Sequence, residues 1–348
     1  MSRLEILDVK SKLKGISMSK RWTAREVLEM ARLYQPACVL GAAAELDVFS
    51  LLDEKPMIAQ ALASELGTNL RATTVLLDAL VAMEFLTRQN DVYGVPENVA
   101  IILAEKSKSN ILPMLRHMFN CFRRWAMLAE VTKTGKPAER TPSTRGEAAD
   151  QVSFIGGMHN LSAPIAAEVV DKLQPLKFIH LLDIGGASGS WTIAFLNAVP
   201  KARAVLFDLP PVILMAKERI SNAGLDDRVS LVPGDFYTDD LPEGADLAWL
   251  GAICHQNSRE QNRALFAKIH KVLKAGGIVV IRDVVMDPSH TNPKSGALFA
   301  INMLVNTEGG GTYSFDEYKN DLCEAGFAEV ELVHRDEFMN SLIRAKKV

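Results

Sequence analysis

The chain has 348 residues, 48% of them hydrophobic and 23% charged, with a formal net charge of −3. That length supports two cores and that balance is ordinary for a globular protein, while the small negative charge excludes a general attraction to nucleic acid or an anionic membrane. Cys38, Cys121, Cys254 and Cys323 lack metal or redox spacing, no group of His, Asp and Glu has ligand spacing, and residues 1–8 are charged where a signal peptide needs an apolar stretch, so a cytoplasmic protein without metal or membrane span is expected.

The first half reads as helical. Val27, Leu28, Ala31, Leu33, Val39, Leu40, Ala43 and Leu46 follow helical spacing over residues 24–52, with a break predicted at Pro36. So much apolar surface on early helices suggests a partner surface. Residues 57–66 give a helix closed by Gly67, and Asn69 caps a second one through Leu76, Leu80 and Phe85. Residues 86–95 alternate around an Asn90-Asp91 turn like a small hairpin. Helix, turn, helix and hairpin make a winged helix. Its would-be groove helix offers only Arg71, and the hairpin Arg88, too few cations for the phosphate contacts that carry DNA affinity. A dimerisation platform is the better reading.

Another helical stretch covers residues 110–130, with Met114, Met118, Phe119, Phe122 and Trp125 as core or as a substrate wall. A polar loop over 132–145 leads to Phe154-Ile155-Gly156-Gly157-Met158, then to a helix through Ile165, Val169 and Leu173.

An apolar strand then ends in Asp183 and the glycine loop Gly185-Gly186-Ala187-Ser188-Gly189, and Trp191 opens a helix. Glycines let backbone approach a ligand closely, and the following helix start offers free N–H groups. Some twenty residues on, a second strand ends in Asp208, where a carboxylate can accept both hydroxyls of a ribose. A third strand, from Val229, ends in Gly234-Asp235-Phe236. In an open parallel sheet such ends share one crevice, so Asp183, Asp208 and Asp235 are expected to face one ligand. No Gly-Lys-Ser/Thr phosphate loop accompanies them. Acids without basic partners suit a nucleoside with a positive charge, which describes S-adenosylmethionine.

Residues 245–250 form a fourth strand with His255 beyond its end, residues 259–273 a helix, and residues 277–283 a fifth strand ending in Asp283. Methyl transfer from a sulfonium is an in-line displacement, and a deprotonated hydroxyl attacks far better, so a positioned imidazole is the expected base, worth about 10²–10⁴-fold. Asp283 is the candidate to orient it. Residues 328–333 and 341–346 are late strands.

The runs LLDIGGASGS, VLFDLPPVI, RVSLVPGDFY, AICH and KVLKAGGIVVIRDVVMD resemble those of the S-adenosylmethionine-dependent small-molecule O-methyltransferases, which include the caffeate and acetylserotonin enzymes and bacterial relatives. The resemblance covers essentially the whole chain. It implies an α/β fold: a class I Rossmann-like sheet of order 3-2-1-4-5-7-6 with its last strand antiparallel, over residues 166–348. A helical, winged-helix-like dimerisation domain over residues 1–165 would make the protein a homodimer. It implies Gly185, Gly186, Asp208, Leu209, Asp235, Phe236 and Gly251 around the cofactor, Asp208 on the ribose and the Asp235-Phe236 pair at the adenine, with Asp183 ordering the loop. Phe154, Met158 and Met303 would contact the acceptor, plain packing being the alternative for each. His255 matches the catalytic histidine and Asp283 an acid of the family. Two positions depart from it: Gln256 follows the histidine where an Asp is frequent, and the position of a second orienting acid falls on Thr312. Glu308 could substitute from the same loop, and the run Gly309-Gly310-Gly311 would make that loop a mobile lid.

Two other readings stay open. One is a different nucleophile, or a non-methylating reaction, on the same scaffold. The other is a winged-helix regulator that senses a ligand through its Rossmann-like half.

Overall fold

A computed structural model describes residues 20–348, so the charged stretch 1–8 lies outside the described residues. Helix α1 (Ala24–Ala31) opens with a capping box in which Thr23 and Glu26 each cover the other's backbone N–H. Helices α2 (Tyr34–Glu45) and α3 (Val48–Glu54) follow. The first break falls at Arg32 and Leu33 and not at Pro36, which sits in the first turn of α2, where its missing N–H would have had no helical acceptor. Met57–Ile58 form a short strand, β1, that pairs with Val92 and Tyr93, so the helix expected from Met57 starts only at α4 (Ala59–Leu66). Gly67 closes it in the left-handed region, and Asn69 Oδ1 accepts from Ala72 N at 3.1 Å to start α5 (Leu70–Ala82).

Strands β2 (Thr87–Gln89) and β3 (Val92–Gly94) turn through Asn90 and Asp91, both at positive φ, as the twist of a two-residue hairpin loop requires. With β1 the wing has three strands. Phe49, Leu52, Leu62, Leu77, Leu80 and Tyr93 form the core beneath it.

After α6 (Glu97–Leu103) come α7 (Leu112–Trp125), α8 (Leu128–Thr134) and α9 (Glu147–Ser162). Phe154 to Met158 are thus inside a helix despite two adjacent glycines. A Cβ on Gly156 would lie 2.8 Å from Pro113 Cβ and one on Gly157 3.1 Å from Met114 Cα, so the glycines allow α9 to press directly on α7.

Beyond α10 (Ala166–Asp171), strands and helices alternate: β4 (His180–Ile184), α11 (Ser190–Ala198), β5 (Arg203–Asp208), α12 (Pro210–Asn222), β6 (Val229–Pro233) and β7 (Leu247–Gly251). Then follow α13 (Arg259–Val272), β8 (Ile278–Asp283), β9 (Val285–Met286), α14 (Lys294–Asn306), β10 (Tyr313–Ser314), α15 (Phe315–Glu324), β11 (Phe327–His334) and β12 (Ser341–Lys347). Seven strands make the main sheet in the order β6-β5-β4-β7-β8-β12-β11, with β12 antiparallel to both neighbours. Counted along the chain this is 3-2-1-4-5-7-6, as expected.

Strands β4 and β7 are buried along nearly their whole length, as a parallel sheet covered on both faces demands. Ile184, Phe207, Leu250, Phe266 and Ile269 fill one face, and Leu181, Trp191, Phe195 and Trp249 the other. The strand order reverses between β4 and β7, so the carboxyl ends of β4, β5, β7 and β8 border a crevice at a topological switch point. Among the described residues no single helix is long and apolar enough to cross a membrane.

Candidate functional site

The loop after β4 is built so that only small residues fit. Gly185 and Gly189 have φ of +68° and +79°, and a Cβ on Gly185 would fall 2.5 Å from Ile253 Cδ1 and one on Gly186 2.5 Å from Leu206 Cγ. Beneath it Asp183 is 1% exposed and accepts the Thr192 hydroxyl at 2.6 Å. Burial pushes its carboxyl up to about 7, with the Thr192 hydrogen bond opposing and the neighbouring Asp208 adding to the shift. Asp183 therefore braces the loop from inside and does not share the open crevice with the other two acids.

Asp208 does face that crevice. One oxygen accepts from Ala187 N of the glycine loop at 2.8 Å and the other from Leu209 N at 2.7 Å, while burial raises its carboxyl above the usual range. Leu209 is exposed beside it. Asp235 is half-buried and accepts from Tyr237 N at 2.9 Å, which turns the chain after β6, and Phe236 lies against Tyr237 with ring centroids 4.5 Å apart. Lys268 of α13 holds the same turn by donating to the carbonyls of Phe236, Tyr237 and Asp239 at 2.9, 2.9 and 3.0 Å. Gly251 ends β7, and a Cβ there would lie 2.6 Å from the indole nitrogen of Trp249.

His255 lies in a short 3₁₀ turn, Cys254–Gln256, next to the end of β8. Its Nδ1 is 3.0 and 3.1 Å from the two oxygens of Asp283, and its backbone N–H donates to the same carboxylate at 3.1 Å. Asp283 is 1% exposed and also accepts from Val284 N at 2.8 Å. The ring of Phe299, on α14, meets the imidazole edge-to-face at 4.9 Å.

The expected acceptor residues sit on neighbouring helices. Phe154 projects from α9 against His117 of α7, ring centroids 5.0 Å apart, and Met158 lies one turn further along. Burial pushes the His117 imidazole down to about 4, with Arg124 and Arg140 adding to the shift. Met303 of α14 is buried, and Trp125 Nε1 joins α7 to α14 by donating to Asn302 at 2.9 Å. His159, absent from the sequence expectations, meets Ser190 Oγ at 3.0 Å and so ties α9 to the start of α11.

Two expectations about the loop after α14 change. Thr312 is buried with its hydroxyl on the carbonyl of Gly296 at 3.4 Å, and Glu308 is exposed; among the described residues the hydrogen-bond partner of the His255 ring is Asp283. The glycine run is not a loose lid. Gly311 N donates to the carbonyl of His255 at 2.8 Å, and a Cβ on Gly310 would lie 2.6 Å from that same oxygen. Gly309 and Gly310 serve close approach.

The family model of the O-methyltransferase domain matches residues 140–328, and that of the O-methyltransferase dimerisation domain matches residues 29–99. The chain belongs to the O-methyltransferase family. It is 30% identical over 315 residues, 88% of this chain and 91% of the other, to the tetracenomycin polyketide synthesis 8-O-methyl transferase TcmO of Streptomyces glaucescens. Acetylserotonin O-methyltransferase of Bos taurus is 30% identical over 322 residues, 87% of this chain and 92% of the other. The crystal structure of human N-acetylserotonin methyltransferase in complex with SAM aligns with a TM-score of 0.78 and 25% identity, over 95% of this chain and 99% of that one. This O-methyltransferase is thus an S-adenosylmethionine-dependent enzyme on a class I sheet with an N-terminal helical dimerisation domain.

Proposed function

We propose that the enzyme methylates a phenolic hydroxyl of a small molecule and that His255 is the base that removes its proton. The pairing of His255 Nδ1 with both oxygens of Asp283 carries this reading. An ionised carboxylate only accepts hydrogen bonds, so the pairing favours the tautomer protonated on Nδ1 and leaves the Nε2 lone pair free to take the hydroxyl proton. Asp283 then offsets the positive charge that forms on the imidazole.

The residues at the strand ends fit the cofactor. Each oxygen of Asp208 is engaged by one backbone N–H, which leaves acceptor capacity for the two hydroxyls of a ribose. When bound, S-adenosylmethionine supplies an electrophilic methyl, which the acceptor oxygen takes as the carbon–sulfur bond breaks. We assign Gly185, Gly186 and Gly251 to backbone approach, Asp208 and Leu209 to the ribose side, and Asp235 with Phe236 to the adenine. Asp183 orders the loop from below. Phe154, Met158 and Met303 would wall the acceptor, with Thr312 behind the histidine loop. Holding the acceptor oxygen against the methyl would supply much of the rate.

We further assign residues 1–165 to dimerisation and 166–348 to catalysis. The exposed side chains of Val27, Leu28, Met30, Leu33 and Tyr34 support a homodimer through α1 and α2. The free thiols Cys38, Cys121, Cys254 and Cys323 suit the reducing cytoplasm.

The test is turnover of N-acetylserotonin and a set of hydroxynaphthoates by wild type and His255→Ala, with cofactor affinity measured by calorimetry. The expected outcome is a loss of about 10²–10⁴-fold in kcat with S-adenosylmethionine binding kept. A variant that turns over at the wild-type rate would sink the base assignment.

A further inference from the structure

Among the described residues Asp283 is the one carboxylate bonded to the His255 ring, and a glycine run packs on the backbone of the histidine turn. Residues 307–314 touch both sides of the His255–Asp283 pair. On the histidine side, Gly311 N donates to the His255 carbonyl at 2.8 Å, and Gly310 packs so closely that an added Cβ would lie 2.6 Å from that oxygen and 3.0 Å from the Gln256 carbonyl. Gly309 presses on Ser258, where a Cβ would fall 2.9 Å from Ser258 Cβ. On the aspartate side, Tyr313 and Ser314 pair in parallel with Val285 and Met286, directly after Asp283. Thr307 fixes the near end of the segment, its hydroxyl donating to Met303 O at 2.8 Å and accepting from Gly310 N at 2.9 Å.

Gly310 and Gly311 do not fall in the positive-φ region, so neither needs glycine for its backbone conformation. What Gly310 supplies is room. Asp283 binds His255 through both the ring and the backbone N–H, so a displacement of the His255 backbone by a few tenths of an ångström reaches the Nδ1 contact directly. Catalytic groups tolerate about 0.5 Å of such error.

We infer that the segment around Gly310 is the positioning element of His255, clamping its backbone so that a single carboxylate suffices to orient the ring. The inference rests on His255 acting as the base. It makes opposite predictions for neighbouring glycines. At Gly310 a methyl group meets backbone oxygen, whereas at Gly311 an added Cβ meets only the Tyr313 ring, at an ordinary 3.8 Å, and the N–H is retained.

The experiment is long-range ¹H–¹⁵N correlation of the imidazole nitrogens across pH, on full-length protein loaded with S-adenosylhomocysteine, with the His255 signals assigned from His255→Asn. Wild type and Gly311→Ala should share the Nδ1-protonated pattern. In Gly310→Ala the pattern should become a tautomer mixture as the Asp283 contact weakens, with S-adenosylhomocysteine affinity and melting cooperativity retained. A pattern in Gly310→Ala equal to wild type overturns the clamp. So does full restoration in the double variant Thr307→Ala/Gly310→Ala, because it would assign the defect to the Thr307 hydroxyl, 2.5 Å from the same Cβ, instead of to His255. If His255→Ala also turns over at the wild-type rate in the acceptor assay, the base reading fails first and the inference with it; an inactive His255→Ala beside an unperturbed Gly310→Ala overturns the clamp alone.

Discussion

Asp183 and Asp208 end adjacent strands five registered pairs long, yet their surroundings divide their work. Asp183 is buried with one hydroxyl partner, and that burial pushes its carboxyl up to about 7; Asp208 keeps a face to the crevice. A raised acid pKa in the folded state contributes stability that is fully present below the unfolded value near 4 and is lost as pH rises through about 7. Wild-type stability should therefore fall between these limits by up to about 4 kcal/mol relative to Asp183→Asn, whose amide does not ionise. Chemical denaturation of the two proteins at about pH 4.5, where the folded carboxyl keeps its proton, and about pH 7.5, where most of it is lost, checks this; a difference that stays constant with pH contradicts it. The positions of His255, Asp283, Asp208 and Asp235 at the mouth of the sheet were legible because strand ends are visible as apolar runs that stop at a polar residue. Lys268 and His159 were not. Each lies inside a helix, and each finds its partners about thirty residues away in sequence, a proximity that only the folded chain creates.

At the scale of elements, α9 is the case where local preference and tertiary packing disagree. Adjacent glycines weaken a helix by about 1 kcal/mol each relative to alanine, which argues for a break at Gly156-Gly157. The helix continues because those positions let it lie directly on Pro113 and Met114 of α7. Gly156→Val should therefore destabilise the protein by about 1–3 kcal/mol through overpacking, although valine has the better helix propensity. Urea unfolding gives the answer, and a stabilised variant would contradict the packing account. Pro36 erred in the same direction: proline signals a boundary, but whether it stands before or just inside the helix depends on the cap, and Leu33 supplies a turn three residues earlier. Met57 and Ile58 read as helix until β3 is present to pair with them.

For the molecule as a whole, the class I sheet was readable from five apolar strands alternating with helices, and its order followed from the family resemblance. The division of labour between the two halves is less visible, because an apolar helix face looks the same in sequence whether it packs inward or against a second chain. Here Val27, Leu28, Met30 and Leu33 remain exposed, and α1 has no buried residue. Leu28→Glu with Leu33→Glu should convert a dimer to a monomer of unchanged helical content in light scattering; a double variant that stays dimeric would move the interface elsewhere. In the proposed arrangement the crevice would bind the cofactor at Asp208 and the glycine loop independently of the histidine. The most direct measurement is calorimetric titration of S-adenosylmethionine into wild type and Asp208→Ala. Micromolar binding by the wild type, weakened at least about 100-fold in the variant as two charge-assisted hydrogen bonds are lost, is the predicted result. Equal binding by both proteins, or none by the wild type, would contradict it.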